Sequence, residues 1–209
     1  SSVLFSQSIE LPMDYIRNKN HGQDTNTEVI QGSKYLNEKF QNGKIILNDN
    51  EINTLLRYNG LIDEFELKNN TNKEVASIVR SREIKFVVGS ENFALFNYTN
   101  ENGSIAQGYF QILNNGPFKL LKKNKVILNA AEPAANSYSQ AKPAKYVNTV
   151  NYYLVQEDKP VQQIQSLRKK NILDLLSTDK AEFYVKENKL KLKTEEEIIQ
   201  LLNYLNNSI

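Results

Sequence analysis

The clearest pattern in the chain is a series of short apolar runs separated by turn-forming residues, beginning near Ser33. The first three runs are Gly43–Leu47, Asn53–Tyr58 and Ile62–Lys68. Asn48-Asp49-Asn50 and Asn59-Gly60 separate them. Asn and Asp bond to their own backbone and tolerate left-handed conformations, and Gly has no side chain to clash there. This pattern predicts an antiparallel meander.

The same pattern continues to residue 165. Further strand-type runs are Glu74–Arg80, Ile84–Val88, Asn92–Tyr98, Ser104–Leu113, Phe118–Leu121, Lys125–Leu128, Val147–Gln156 and Pro160–Gln165. No helical pattern lies between them, so they favour an antiparallel sandwich or small barrel over a parallel sheet. Residues 129–145, NAAEPAANSYSQAKPAK, are rich in Ala, Pro and Ser and have no periodicity. They predict a long surface loop or a strap across the sheet.

The apolar period changes from two to about 3.6 near the C-terminus. Leu167–Leu176 has helical spacing, and Thr178 can cap a second helix that ends near Asn188. Thr194 and Glu197 form a capping box, in which the hydroxyl accepts from a free backbone amide and the carboxylate reaches back. A stripe follows at Ile198, Leu201, Leu202 and Leu205. The sequence therefore predicts a β-rich α+β fold with about three short C-terminal helices.

These patterns divide the chain into four parts. They are a signal-peptide remnant at 1–7, an irregular lead-in at 8–32, an antiparallel β domain at 33–165 and a helical segment at 166–209 that packs on it. The uncharged start SSVLFSQ predicts the end of a secretory signal, with an ordinary first strand as the alternative. The lead-in is too polar to bury enough surface to offset the entropy of ordering it.

Composition excludes several classes of function. The 209 residues include 26 basic and 24 acidic ones, and a net charge of +2 gives little attraction to nucleic acid or anionic membranes. The absence of Cys excludes disulfides and thiolate metal sites. No apolar run approaches the roughly 20 residues of a transmembrane helix. His21 is the sole histidine, so a nucleophilic Ser lacks its usual base elsewhere. We predict no catalytic residue, cofactor or metal.

The best candidate for a functional segment is RYN followed by DEFE. Arg57 can pair with Glu64 or Glu66 across a hairpin, and the Asn59-Gly60 turn leaves that choice open. Asp63 and Glu64 are adjacent, so on a strand they point to opposite faces and make a poor catalytic pair. Glu64 and Glu66 share a face, which we expect to be solvated.

We therefore predict an interaction surface at this segment and at exposed tyrosines. Its candidate residues are Arg57, Tyr58, Asp63, Glu64, Tyr138 and Tyr152. A basic cluster at Lys122, Lys123 and Lys125 has no aromatic residue interleaved with it, unlike the surfaces that bind single strands of nucleic acid. We expect these lysines to form a solvated face.

Several motifs carry a resemblance to known sequences. They are GSKYLNEKF at 32–40 with GK at 43–44, LRYN at 56–59, DEFE at 63–66 and KENKLKLK at 186–193. In them, and over most of its length from Gly32 onward, the chain resembles a group of uncharacterised exported proteins of Bacteroidota. The resemblance implies export and a β-rich body with a helical tail. It implies no catalytic residue.

Three hypotheses about function follow. The first is a non-catalytic exported module that contacts another protein of the bacterial cell envelope, in the periplasm, at the outer membrane or after secretion. The second is a carrier whose barrel holds a lipid or another small apolar ligand. The third is a hydrolase that uses Asp63, Glu64 and Glu66, with glycans as one candidate substrate.

Overall fold

The structure, a computed structural model, describes residues 11–18, 30–68, 75–134, 136, 138, 140–156 and 159–208. The predicted signal remnant, most of the lead-in with His21, and the link at 157–158 lie outside these residues. The described residues form eleven strands and three α-helices. In chain order they are β1 (Ile16–Asn18), β2 (Gln41–Leu47), β3 (Asn50–Asn59), β4 (Glu64–Lys68), β5 (Val75–Ile78), β6 (Ile84–Val88), β7 (Glu91–Thr99), β8 (Ile105–Ile112), β9 (Lys119–Asn129), β10 (Lys145–Val155), β11 (Gln162–Ile164), α1 (Lys169–Leu176), α2 (Asp179–Glu187) and α3 (Glu195–Asn206).

The strands belong to one antiparallel sheet in the order β1-β5-β4-β3-β2-β6-β7-β8-β9-β10-β11. The β-rich α+β class with three helices near the C-terminus is confirmed. Of the two predicted architectures, the closed barrel is wrong, because β1 and β11 lie at opposite ends of the strand order. Alternating apolar residues and turns specify antiparallel neighbours, but they do not specify whether the first and last strands meet.

The chain divides into two compact units. Unit 1 contains residues 1–90 and 125–149, and unit 2 contains residues 91–124 and 150–209. The predicted runs at 118–121 and 125–128 are parts of the single strand β9, which continues to Asn129. Of the predicted loop at 129–145, Asn129 and Lys145 belong to strands, and between them Glu132 and Lys142 pair as an antiparallel bridge.

Unit 1 is built on hairpins whose turns match the sequence signals. In the β2–β3 hairpin Leu47 pairs with Asn50, so the turn has two residues. Asn48 and Asp49 have φ angles of 48° and 64°, as turns that follow the twist of the strands require. The most deeply buried hydrophobic side chains of this unit are aliphatic residues and Phe. Those at most 1 % exposed are Ile45, Leu56, Phe65, Ile78, Ile84 and Phe86.

In unit 2 the sheet buries side chains on both faces. Leu120 and Leu154 point to the face that the helices cover. Their neighbours Leu121 and Tyr153 point to the opposite face and pack around Phe110. The helices contribute Ile172, Val185, Leu202 and other apolar residues to the first cluster. The predicted stripe of α3 is therefore confirmed, because Ile198, Leu201, Leu202 and Leu205 are all at most 4 % exposed.

The predicted helix starts also form. The Thr178 hydroxyl accepts from the backbone N–H of Lys180, and the Thr194 hydroxyl accepts from that of Glu197. The Glu197 carboxylate reaches further back than a capping box requires. It accepts from the N–H groups of Lys193 at 2.9 Å and Lys191 at 3.2 Å. These backbone bonds, led by the one from Lys193, hold the pKa of Glu197 below its ordinary value.

Hydrogen bonds also join the β8–β9 turn to the end of α3. The Asn206 amide donates to the carbonyls of Asn115 and Phe118 and accepts from the Phe118 N–H at 2.8 Å. Gly116 makes this approach possible. Its φ is +114°, and a Cβ there would lie 2.4 Å from Asn206 Cγ.

Candidate interaction surfaces

The β3–β4 hairpin brings the predicted segment together. Arg57 lies directly opposite Glu66, and Tyr58 lies opposite Phe65. Arg57 Nη2 donates to Glu66 Oε2 at 2.6 Å, and Asn59 Nδ2 donates to the other carboxylate oxygen at 3.2 Å. Of the two predicted partners, Arg57 therefore pairs with Glu66 and not with Glu64. The turn occupies residues 60–63 rather than two residues, which shifts the register so that Arg57 faces an acid.

The face that carries this pair is not solvated as predicted. Glu66 is only 1 % exposed, and the Arg57 side chain is 15 % exposed. The segment before β2 covers them. The Arg57 guanidinium carbon lies 3.5 Å from the centroid of the Tyr35 ring and 4.2 Å from that of Phe40. Arg57 Nη1 also donates to the Glu38 carbonyl at 3.0 Å.

This arrangement is a buried ion pair between two aromatic rings. Arginine suits it, because a planar guanidinium stacks on ring faces while it bonds a carboxylate. The motif YLNxxF before β2 and the motif LRYN are therefore parts of one structural unit. A buried pair of this kind fixes one arrangement of the segment over the sheet, since either charge alone would be costly there.

The other candidate residues of the hairpin hold its turn. The Tyr58 hydroxyl donates to Asp63 Oδ1 at 2.7 Å. Arg80 donates to the carbonyls of Ile62 and Asp63, each at 3.0 Å. Asp63 has a φ of 55°, so these bonds stabilise a residue in the left-handed region. Tyr58 and Asp63 are therefore turn-stabilising residues.

Glu64 is the most peripheral candidate on the hairpin. Its carboxylate lies 3.8 Å from Arg17 Nη1, and the Arg17 side chain is 66 % exposed. An ion pair this open to water contributes only about 0–1 kcal/mol. Asp63 lies in the turn before β4 rather than on the strand, so the predicted placement of Asp63 and Glu64 on opposite faces of one strand does not apply.

The basic cluster on β9 is only partly solvated. Lys123 is 5 % exposed, which contradicts the expectation for a solvated face. Its Nζ lies 4.8 Å from the Phe110 ring centroid and 5.3 Å from that of Tyr98, and it donates to the Tyr109 carbonyl at 3.3 Å. The aromatic partners come from β7 and β8, so the spacing of residues along β9 could not show them.

Tyr152 connects the sheet of unit 2 to the start of α3. Its hydroxyl donates to Glu195 Oε1 at 2.5 Å, and Lys122 Nζ donates to the same oxygen at 2.9 Å. Burial followed by the hydrogen bond with Glu195 raises the pKa of Tyr152 to about 12. Burial also acts to raise the pKa of Glu195, but the bonds from Tyr152 and Lys122 outweigh it, and the pKa is lowered.

The Tyr152–Glu195 bond predicts how stability varies with pH. The lowered pKa of Glu195 means that its contribution is complete above its unfolded pKa near 4.5 and is lost as pH falls through the folded value. The raised pKa of Tyr152 means that its contribution is complete below pH 10.0 and is lost as pH rises through about 12. We expect Tyr152→Phe to lower the free energy of unfolding by about 1 kcal/mol at pH 7, because it removes the donor to a carboxylate.

Denaturant unfolding at pH 7 and pH 11 checks this expectation. Wild type should lose stability between the two pH values, and Tyr152→Phe should lose less. Tyr138→Phe is the matched control, since Tyr138 is 99 % exposed and its hydroxyl should contribute nothing. Equal stability of Tyr152→Phe and wild type at pH 7 would show that the bond is not stabilising.

Tyr138 lies at the tip of a second candidate surface. We call residues 125–149 the arm: they comprise the end of β9, the start of β10 and, between them, the tip, by which we mean the described residues 130–134, 136, 138 and 140–143. Ile127 and Leu128 are 38 % and 45 % exposed, although adjacent strand residues point to opposite faces. The arm is therefore open to solvent on both faces at this position.

The arm is nevertheless anchored to the rest of unit 1. Val126 is 3 % exposed, and its N–H donates to the Gly60 carbonyl at 3.0 Å. Gln31 donates to the Ala144 carbonyl at 2.9 Å and accepts from the Tyr146 N–H at 2.8 Å. These bonds hold the two strands of the arm at its base and leave the tip exposed.

Among the residues that the structure describes, no group of three or more His, Asp or Glu side chains could hold a metal ion. None of the described helices is both long enough and apolar enough to span a membrane. No protein family, curated protein or solved structure matches the chain. The likeness to exported proteins of Bacteroidota therefore stays a prediction.

Proposed function

We propose that the protein is a non-catalytic exported module that acts through protein–protein contacts in the bacterial cell envelope, with the arm as its contact surface. The observation that supports this most is the concentration of exposed apolar side chains on the arm. Ile127, Leu128 and Tyr138 of the arm are all exposed. Exposed apolar surface on a soluble body commonly marks an interaction site.

The predicted hairpin surface supports the proposal less well. Arg57 is enclosed by two aromatic rings, and Tyr58 and Asp63 bond each other. The carboxylates that the hydrolase hypothesis would use also bind other side chains of unit 1. These contacts stabilise the hairpin and occupy the carboxylates. Tyr138, by contrast, is 99 % exposed to solvent.

A photo-crosslinking experiment in the native cells tests the arm. We expect a photoreactive amino acid at position 138 to give one discrete protein adduct, because Tyr138 is 99 % exposed at the tip. The same substitution at Phe183, which is 63 % exposed on α2, is the matched control and should not give that adduct. Thermal unfolding of both variants should match wild type, since exposed positions rarely change stability by more than about 0.5 kcal/mol.

The crosslinking result decides whether the arm is a contact surface. Absence of an adduct at position 138, or the same adducts at 138 and 183, would contradict a contact role for the arm. Cell fractionation tests export separately. Recovery of the protein in the cytoplasm alone would contradict the envelope location whatever the crosslinking shows.

A further inference from the structure

A groove between α2 and α3 is lined mainly by aromatic and uncharged polar side chains. It lies within unit 2 and has a volume of about 780 Å³. Along α3 the lining runs from Glu196 to Asn207, which is about 16 Å at the rise of an α-helix. This length suits an elongated ligand. The lining residues are Tyr184, Glu196, Ile199, Gln200, Asn203, Tyr204, Asn207 and Ser208.

Two tyrosine rings form the aromatic part of the groove. Tyr184 and Tyr204 stack with their centroids 3.9 Å apart and their planes 13° apart, so each ring has one face turned away from the other. Both rings also pack against the buried core of unit 2, which holds the stack in place. The face of an aromatic ring carries negative charge and therefore attracts the positively polarised C–H groups of a ligand.

The amides of Gln200 and Asn203 are oriented by bonds to neighbouring side chains. Gln200 Nε2 donates to the Tyr184 hydroxyl at 3.2 Å, so the acceptor that Gln200 offers to a ligand is its carbonyl oxygen. Asn203 Oδ1 accepts from Asn114 Nδ2 at 3.3 Å, so Asn203 offers its N–H groups as donors. A hydroxyl group both donates and accepts. An acceptor and a donor about one helical turn apart therefore match the hydroxyl groups of a polyol.

The charges around the groove lie at its ends. Glu196 is exposed at the N-terminal end of α3. At the other end Lys180 Nζ donates to the Ser208 carbonyl at 3.1 Å. The described lining residues other than Glu196 are uncharged. A charged group in the middle of the groove would lose water without gaining a partner of opposite charge, so the groove favours an uncharged ligand.

A neutral pyranose with equatorial hydroxyl groups has the chemistry that this lining recognises. Its ring faces carry C–H groups, its rim carries hydroxyls, and it has no charge. An amphipathic helix would instead need a row of aliphatic side chains, and Ile199 is the one such side chain in the described lining. Glu196 is the one carboxylate in that lining, whereas glycoside hydrolysis usually needs a pair, so the chemistry supports binding rather than cleavage.

We propose that the α2–α3 groove binds a short neutral oligosaccharide. One face of a pyranose lies on the Tyr184–Tyr204 pair, and its hydroxyl groups bond the amides of Gln200 and Asn203. Preorganised polar groups beside an aromatic surface are typical of small-molecule sites, because they fix the orientation of the ligand. The groove and the arm are separate surfaces, so this inference adds a ligand site to the proposed contact function and does not depend on it.

Isothermal titration calorimetry of the full chain with cellotetraose and with chitotetraose tests the site. We expect at least one of these neutral oligosaccharides to bind with a dissociation constant below about 1 mM. Gln200→Ala and Tyr184→Leu should each weaken binding about tenfold, since one removes a polar contact and the other removes a stacking face. Gln200 is exposed, so its replacement should leave thermal unfolding unchanged.

Two controls separate the groove from non-specific binding. Phe183→Leu changes the adjacent aromatic residue of α2, which is 63 % exposed and outside the groove, and should leave the affinity unchanged. Tetragalacturonate, which carries a carboxylate on every sugar, should bind wild type at least about tenfold more weakly, because the described lining offers those carboxylates no cation.

Any of four results would overturn the inference. They are no binding of either neutral oligosaccharide, unchanged affinity in either groove variant, an equal loss in Phe183→Leu, and equal affinity for tetragalacturonate. Binding of decaproline in place of the sugars would also overturn it and would assign the groove to a proline-rich peptide. Crosslinking at Tyr138 reports on the arm alone, so either proposal can fail without the other.

Discussion

Glu66→Ala should lower the free energy of unfolding by about 3–5 kcal/mol, because it leaves the Arg57 charge enclosed without its partner. Glu66 is 1 % exposed and bonds Arg57 at 2.6 Å, while two aromatic rings limit the access of water to the guanidinium. Asn59 would also lose the acceptor for its buried amide. Denaturant unfolding at pH 7 measures the effect.

The matched control is Glu51→Ala, which removes the carboxylate of another cross-strand pair. Lys44 Nζ lies 2.6 Å from Glu51, the same distance as in the buried pair, but both side chains are 44 % or more exposed. This change should cost less than about 1 kcal/mol. Similar losses for Glu66→Ala and Glu51→Ala would contradict the idea that burial, rather than distance, determines the energy of the pair.

Phe110→Ala should lower the free energy of unfolding by about 3–5 kcal/mol through the loss of a central ring and the cavity that remains. Phe110 is fully buried, and three other rings approach it edge-on, with centroids 5.0 Å away for Tyr153, 5.3 Å for Tyr98 and 5.9 Å for Phe96. Lys123 Nζ lies 4.8 Å from the same ring. Removing the Phe110 ring therefore opens a cavity and also removes a ring contact of Lys123.

Phe183→Ala is the control for this prediction, since it removes the same side chain at a position that is 63 % exposed. It should change stability by less than about 0.5 kcal/mol. A second variant, Phe110→Leu, retains most of the volume and should cost less than Phe110→Ala. If Phe110→Leu and Phe110→Ala were equally damaging, the ring contacts rather than the filled volume would determine the loss.

The local signals of the sequence predicted most elements because each depends on neighbouring residues. Asn48 and Asp49 form a two-residue turn, since their side chains tolerate positive φ. Thr194 caps α3, since a hydroxyl next to free amides needs no tertiary contact. The β-branched run of β6 forms the predicted strand with the predicted bounds.

The candidate site was predicted less well, because burial depends on distant segments. Glu66 was expected in solvent from its alternation with Phe65 and Leu67, but residues 33–40 cover its face of the sheet. The sequence does contain two aromatic residues, Tyr35 and Phe40, just before the meander, and these residues cover that face. Nothing in their spacing identified Arg57 as the group that lies between them.

The sequence by itself determined the class of the fold, the antiparallel pairing, most of its turns and the starts of α2 and α3. These follow from side-chain alternation and from turn and cap chemistry, which act over a few residues. Only the tertiary structure decided that the sheet is open, that Glu66 and Lys123 are buried and that Tyr138 is exposed. Those properties depend on which remote segments cover each strand face, and a local pattern leaves that choice free.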